Sequence, residues 1–422
     1  MAIVIFLVIL FCCLKKPMLG LALILQTNII RALISIDYDN PCFNCINESD
    51  LLLGAIAPLL GMMIILLRLE VLKQVKYVFD KFDGLFIAIL GTLFFTSLYA
   101  INMLESITYT LRFLFLGFSY FFLTKIMMIN SRNHLEDFKM FLLYSLWISI
   151  ILGTFGGILY MLKGFGAPGV YRMTIPGVHP IPFSQLLGLG IFVSFVIFIT
   201  NGSFFGIKSK TQLNFNKIIL PYLVLLLLAT NTRGIMVSVA AAILLYMFLA
   251  KVKIKKRILY ISGAVMVLAV IFAVQFIDFE VLFQRLLAKQ TAKSVDERLI
   301  AYTDSVSIFF KHPFGIGPDA FQHYSTLPYP HNIFLEFLSQ YGIFGLLISL
   351  YFILTIVYMF LLTLKKRITD LAYVVMFCLF IYFFIETNFS FTLWMHKGMF
   401  IFMGLFAGYS YRIRKDIGKI NI

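Results

Sequence analysis

The chain has 422 residues, of which 61% are apolar and only 13% charged, and 47 of them are Phe. An average soluble domain carries about 25% charged residues, so a soluble globular fold is excluded. The net charge of +15 would suit nucleic acid, but basic residues that interrupt apolar runs report membrane orientation instead, and no nucleic-acid partner is expected.

Apolar runs of about 20 residues recur from one end of the chain to the other, each long enough to cross a bilayer core as a helix. A porin-like barrel would alternate over about 10 residues, whereas Leu223 to Leu228 is apolar without a break. The expected fold is all-α, a polytopic integral membrane protein with about 12–13 transmembrane helices and one larger extracytoplasmic loop holding a short helix. Spans are expected at about 2–14, 17–35, 51–67, 84–102, 106–129, 139–162, 183–203, 217–231, 234–250, 258–277, 338–364, 370–388 and 393–411. The first is short. It lacks a basic n-region and a small-residue cleavage site, and so reads as a retained membrane segment rather than a signal peptide.

The links between spans alternate in charge. One set holds Lys15 and Lys16, Arg68 to Lys81, Arg132 to Lys139, Lys208 to Lys217, Lys251 to Arg257, Lys365 to Arg367, and Arg412 to Lys419. It carries about 23 Lys and Arg against about 9 in the other, and is therefore expected to be cytoplasmic. The carboxyl tail is then inside. The amino terminus is outside if all the spans cross, and inside if residues 2–14 do not.

Three connections fall on the outer side: the acidic loop Asp37 to Asp50, the Gly/Pro-rich stretch Gly164 to Pro182, and the segment Asp278 to Phe337. Within the last, Ser294-Val-Asp-Glu297 is a capping-box pattern, and Leu299, Tyr302, Val306, Phe309 and Phe310 follow at helical spacing. That stripe would rest on the bundle or in the membrane interface, and His312-Pro-Phe-Gly-Ile-Gly-Pro318 would end the helix. Cys12, Cys13 and Cys378 lie inside apolar runs and read as packing residues. Cys42 and Cys45 lie outside the membrane, where a local disulfide is one alternative and free thiols the other.

Candidate chemistry gathers on the outer side. Arg233, in the polar break Ala229-Thr-Asn-Thr-Arg-Gly234, is either an arginine reaching for water at a span end or an anion clamp. In the second case its planar fork holds two phosphate oxygens, and a helix amino terminus opening at Gly234 adds backbone donors. Arg298, at the start of the loop helix, is a second cation able to share that anion, or a solvated arginine beside Glu297. His331, after two prolines in Pro328-Tyr-Pro-His331, either caps a span at the water boundary or accepts a proton from a hydroxyl as a neutral imidazole. Arg172 and His179 in the Gly/Pro-rich loop, and Arg112 and Glu386 inside span ends, are further substrate-cavity candidates, because charges at that depth face a bundle interior. His312, His323 and His331 match no known ligand spacing, and no metal and no cofactor are expected. The chain has no Walker loop, no G-x-G-x-x-G before a helix and no G-x-S-x-G, so the energy for a reaction must come from an activated substrate.

Thr232-Arg-Gly234, then Asp296-Glu-Arg-Leu299 with Pro313-Phe-Gly-Ile-Gly317, then His331-Asn332 leading to Glu336 and Tyr341-Gly-Ile-Phe-Gly345, taken in order, resemble the O-antigen ligase and polymerase superfamily. The resemblance covers about 217–364 and divides the chain into N-terminal transmembrane helices (1–216), a ligase-like core (217–364) with its outer loop (278–337), and C-terminal helices with a cytoplasmic tail (365–422). It implies a metal-independent, inverting glycosyltransferase in the bacterial inner membrane, using glycan linked to undecaprenyl diphosphate at the extracytoplasmic face. Arg233 and Arg298 would hold the diphosphate and His331 would activate the acceptor hydroxyl. The implied partners are that donor, a glycan or lipid-linked acceptor, membrane lipids and a chain-length regulator protein. A surface-polysaccharide polymerase is the leading expectation. A ligase acting onto lipid A core or protein is the alternative, and a lipid-linked oligosaccharide flippase is the rival from another class. A flippase should carry charges at mid-membrane, whereas these candidates crowd one face.

Overall fold

A computed structural model describes residues 2–34, 56–68, 77–162, 172–175, 178–251, 290–367, 370–389 and 391–420. The expected span at 258–277, the loop Asp37 to Asp50 with Cys42 and Cys45, and residues 163–171 of the Gly/Pro-rich stretch lie outside them. In chain order the helices are α1 (Ala2–Lys15), α2 (Pro17–Leu25), α3 (Thr27–Ile34), α4 (Ala57–Arg68), α5 (Lys81–Ser97), α6 (Met103–Asn130), α7 (His134–Leu162), α8 (Pro180–Thr200), α9 (Lys210–Ala229), α10 (Arg233–Leu249), α11 (Gln290–Lys311), α12 (Ile333–Lys366), α13 (Leu371–Glu386) and α14 (Lys397–Ile420). Among the described residues there is no strand. α6, α7, α8, α9 and α12 are long and apolar enough to cross a membrane, and α1, α4, α10 and α13 are shorter apolar helices. The protein is an all-α, multi-pass membrane protein.

The helices form two compact units, one of residues 1–70 with 132–287 and one of 71–131 with 288–422. In the first unit α8 is central, packing on α7, α9 and α10. Small residues permit this. A Cβ on Gly190 would strike Ser149 and one on Gly156 would strike Phe183, so the helix backbones approach as closely as glycine allows. Ser149 Oγ then donates to Leu186 O at 2.8 Å, giving a hydroxyl inside an apolar bundle a defined partner.

In the second unit α14 lies along α6, with Gly404 against Phe121 and Thr124 and Gly408 against Lys125. α6 contains a π-turn at Phe113–Phe118. The wider turn shifts the phase of the helix, so that Tyr109 and Arg112 before it and Phe121 and Lys125 after it face different neighbours. Lys125 is fully buried and forms an ion pair with Asp83, lies 3.1 Å from Asp80 and donates to Val78 O at 3.1 Å. Asp80 and Asp83 in turn make the capping box that starts α5. Removing one partner of a buried pair strands the other charge, so Lys125→Ala is expected to cost about 3–5 kcal/mol of stability, most of it recovered in Lys125→Met with Asp83→Asn. Thermal midpoints of the purified proteins in one detergent check this.

α12 breaks at Gly342 (φ 59, ψ −132), which only glycine adopts readily. The break is seated on the turn that ends α11. Gly317 N donates to Gln340 O at 2.9 Å and Ile343 N to Pro313 O at 2.8 Å. Gly315 (φ +89) and Gly342 lie so close that a Cβ on either would overlap the other segment's backbone. Beyond the break, α12 presents Leu346, Leu347, Leu350, Ile353, Leu354, Val357 and Leu361 outward at helical spacing while Ile348, Phe352, Thr355 and Met359 are buried. An apolar outward face on a long helix suits hydrocarbon contact. Gly342→Ala is expected to lower stability by about 2 kcal/mol or more, since strained φ/ψ and a steric overlap act together. Yield of folded protein by size-exclusion chromatography and its thermal midpoint measure the effect.

The loop helix differs from expectation. α11 is already helical at Gln290 and runs 22 residues, so it is not short, and Ser294 lies inside it rather than capping it. The face buried in the unit is Ala301, Ser305 and Ile308, packed with Ile316, Ala320 and Phe321. Leu299, Val306 and Phe310 of the expected stripe point outward. The inner face is set by packing on the segment 316–321 that follows the helix, not by which side chains are most apolar.

Candidate functional site

The expected site residues divide between the two units. Arg172, His179 and Arg233 belong to the first unit, and Arg112, Arg298, His331 and Glu386 to the second.

In the first unit the segment 172–175 docks on the turn before α10, with Met173 N donating to Ala229 O at 3.0 Å. Asn231 takes a left-handed conformation (φ 51), and the hydroxyls of Thr230, Thr232 and Ser184 form a buried chain. The helix starts at Arg233 itself, one residue earlier than the sequence suggested, so the exposed arginine side chain extends from the first turn of α10. Arg172 acts electrostatically on His179, which caps α8 by accepting from Ile181 N at 3.3 Å. Burial, then the Arg172 cation, lowers the His179 pKa and holds the ring neutral. Two arginines and a helix amino terminus at one end of a bundle can receive an anion.

In the second unit His331 precedes α12 in a left-handed conformation (φ 57), with its ring 4.4 Å from that of Tyr329. Asn332 caps the helix, its Oδ1 accepting from Phe334 N and Leu335 N at 2.9 and 3.2 Å. Burial, and after it the Arg298 cation, lower the His331 pKa to about 4. Its Nδ1 is buried and makes no hydrogen bond with a described residue. Arg298 lies two turns into α11, rather than at its start, and is half-buried. Its Nη2 donates to Phe389 O at 3.2 Å and its guanidinium lies 5.9 Å from the Phe389 ring centroid.

One turn after Asn332, Glu336 is 1% exposed. Its carboxylate accepts from Tyr109 Oη, from Thr392 Oγ1 at 3.1 Å and from Leu393 N at 3.2 Å. This locks α12, α6 and the α13–α14 connection together. The same connection carries Phe389 against Arg298 and Trp394 against Arg112, whose guanidinium lies 5.4 Å from the indole centroid. At its ends Glu386 Oε2 is 3.5 Å from His396 Nδ1, both side chains buried. Arg112 also acts on Asp319, a carboxyl raised chiefly by burial. The structure thus brings Arg112, Arg298, His331 and Glu386 into one neighbourhood organised by residues 386–396.

His312 and His323 stand apart from this chemistry. His312 packs its ring 5.1 Å from that of Tyr324, and His323 Nε2 is 3.1 Å from Glu105 Oε2. Among the described residues no group of three His, Cys, Asp or Glu side chains is placed to hold a metal. Sequence reasoning passed over Tyr109, Tyr329, Phe389, Thr392 and Trp394. The available signals were the Tyr109/Arg112 spacing on one helix face and the scarcity of tryptophan, of which the chain has 2.

His331 is expected to stay neutral down to about pH 4. Because a nearby cation disfavours the imidazolium, Arg298→Gln raises this value part of the way towards 6.5, with burial, the larger cause, remaining. Titration of labelled histidine by NMR, in wild type and variant, reads both values.

Residues 218–350 match a family model described as O-antigen ligase. The match includes Arg233, Arg298, His331, Glu336 and both glycine segments. No curated relative and no solved structure matches the chain.

Proposed function

Residues 218–350 being an O-antigen ligase-like segment of a multi-pass membrane protein, we propose that the chain is a glycosyltransferase of surface-polysaccharide synthesis. It takes glycan from undecaprenyl diphosphate at the outer face of the bacterial inner membrane. The observation that carries the reading is His331 beside Arg298: a neutral imidazole with a buried, unfilled Nδ1 next to a cation suited to a leaving diphosphate. The preference of basic links for one side supports the orientation.

The acceptor hydroxyl oxygen attacks the anomeric carbon of the donor. The bond from that carbon to the diphosphate oxygen breaks, its electron pair leaves with undecaprenyl diphosphate, and the hydroxyl proton passes to His331. Attack opposite the leaving group inverts the anomeric centre. Arg298 stabilises the charge that develops on the diphosphate, the role a metal ion would otherwise fill, and the activated donor supplies the energy. For Arg233 the diphosphate role rests on the family resemblance, supported by the Arg172–His179 cluster beside it. Binding also tunes the base. Diphosphate charge offsets the field of Arg298, which raises the basicity of His331 once the donor is present.

Polymerisation of repeat units is the leading reading. Ligation of a finished chain is the second, favoured by the description of the matched family. Deletion of the gene, with gel analysis of surface glycan and complementation, separates them. A single repeat unit on the usual acceptor means polymerase, and long chains held on the lipid carrier mean ligase. Repeat units trapped on the cytoplasmic face would overturn both in favour of a flippase. Complementation by His331→Ala, Arg298→Ala or Arg233→Ala is expected to fail, with each protein still present in the membrane. A fully active Arg298→Ala protein would remove the diphosphate role from that residue.

A further inference from the structure

The α13–α14 connection holds an aromatic surface that the transfer step does not use. Trp394 is half-buried, whereas its neighbour Leu393 is 1% exposed and supplies the packing of the turn. The indole is therefore not needed to fill the core. Its position is nevertheless tightly set. Leu393 N and Thr392 Oγ1 bond to the buried Glu336 carboxylate, and Tyr109, three residues before Arg112, donates to the same group. Arg112 lies 5.4 Å from the indole centroid and acts electrostatically on Asp319, which also feels Glu105 and His323. A half-buried indole with a cation over its ring presents two kinds of surface side by side. One is flat and apolar, and the other is rich in charged hydrogen-bonding groups.

A pyranose ring has the complementary form, with an apolar face of C–H groups bounded by hydroxyls. We infer that Trp394 is a stacking platform for one sugar ring of the glycan substrate, with Arg112 steadying the indole and bonding the ring's hydroxyls. Placement supports this. Trp394 follows Leu393, which is bonded to Glu336, and Glu336 follows His331 by five positions at the start of α12. The platform is therefore tied, through Glu336, to the element that carries the proposed base, where sugars flanking the reacting centre can be held. A ring positioned in advance by its neighbours lowers the ordering cost of binding.

The inference rests on the glycosyl-transfer reading for the identity of the ligand, and it is tested separately from it. Trp147 belongs to α7 in the chain's first unit, where its ring stacks on Phe215. In the full-length Trp147→Phe protein, reconstituted in nanodiscs, Trp394 is the single tryptophan. The probe is the repeat-unit oligosaccharide released without lipid from the organism's own surface glycan by mild acid. Saturable change in Trp394 emission, with protection from acrylamide quenching, is expected, weakened about tenfold in Arg112→Gln. In a transfer assay, Trp394→Ala is expected to raise KM for the acceptor glycan about tenfold with kcat changed less than about threefold, and Trp394→Phe to recover most of the loss.

Silent emission at millimolar probe together with a wild-type KM in Trp394→Ala would overturn the platform. So would a fall in kcat at constant KM accompanied by a lowered thermal midpoint, which would make the Arg112–Trp394 contact a structural latch only. Probe binding without any transfer by wild type would keep the sugar subsite and reject the transfer reading. Transfer with silent Trp394 would reject the subsite alone, and absence of both would reject both.

Discussion

A carboxylate buried among apolar helices is tolerated only if its oxygens are filled by donors, because lost hydration is otherwise uncompensated. Glu336 meets that condition with a tyrosine hydroxyl, a threonine hydroxyl and a backbone amide taken from two other parts of the second unit. Three elements must converge for the site to be satisfied at all. Their convergence sets the α13–α14 connection, and that connection in turn reaches Arg298 through Phe389 and Arg112 through Trp394. His331, five positions before Glu336, inherits its place from the same anchor.

The second constraint is steric. Pro313–Gly317 and Tyr341–Gly345 are distant in sequence, yet each contains the glycine that the other's backbone requires. Their contact breaks α12 and leaves its first turns, with Asn332 as cap, as a short separate helical start. It also fixes the end of α11, so that Arg298 on α11 and His331 before α12 are carried by two helices joined at one glycine seat. Short motifs of Gly and Pro are thus the footprint of a close backbone approach.

Charge then decides what the site can do. Burial, and after it the Arg298 cation, keep the His331 imidazole neutral, which preserves its acceptor nitrogen while weakening it as a base. On the proposed reading, an incoming diphosphate would reverse part of that effect and couple proton acceptance to occupancy by the leaving group. Such coupling would limit the base in the absence of donor. It follows from electrostatics between neighbouring groups and asks for no conformational change.

Much of the architecture was legible because a bilayer leaves few choices. Long apolar runs must be helices whose backbones satisfy themselves, so spans such as 139–162 and 183–203 could be placed to within about a turn and a half of α7 and α8. His331, Arg298 and Arg112 could be nominated because charged groups near span ends need a reason to be there. The stripe on α11 was misjudged. Periodicity marks which positions are apolar but not which of them face inward: Ala301, Ser305 and Ile308 are buried, while Leu299 and Phe310 point outward. Nor could sequence pair residues 71–131 with 288–422, or show that Glu336 binds Tyr109 and that Trp394 meets Arg112. Those contacts join side chains more than 200 positions apart. Helical period and charge are local properties of the chain, and therefore readable along it. Which faces meet depends on how side-chain volumes and unsatisfied polar groups fit together in space.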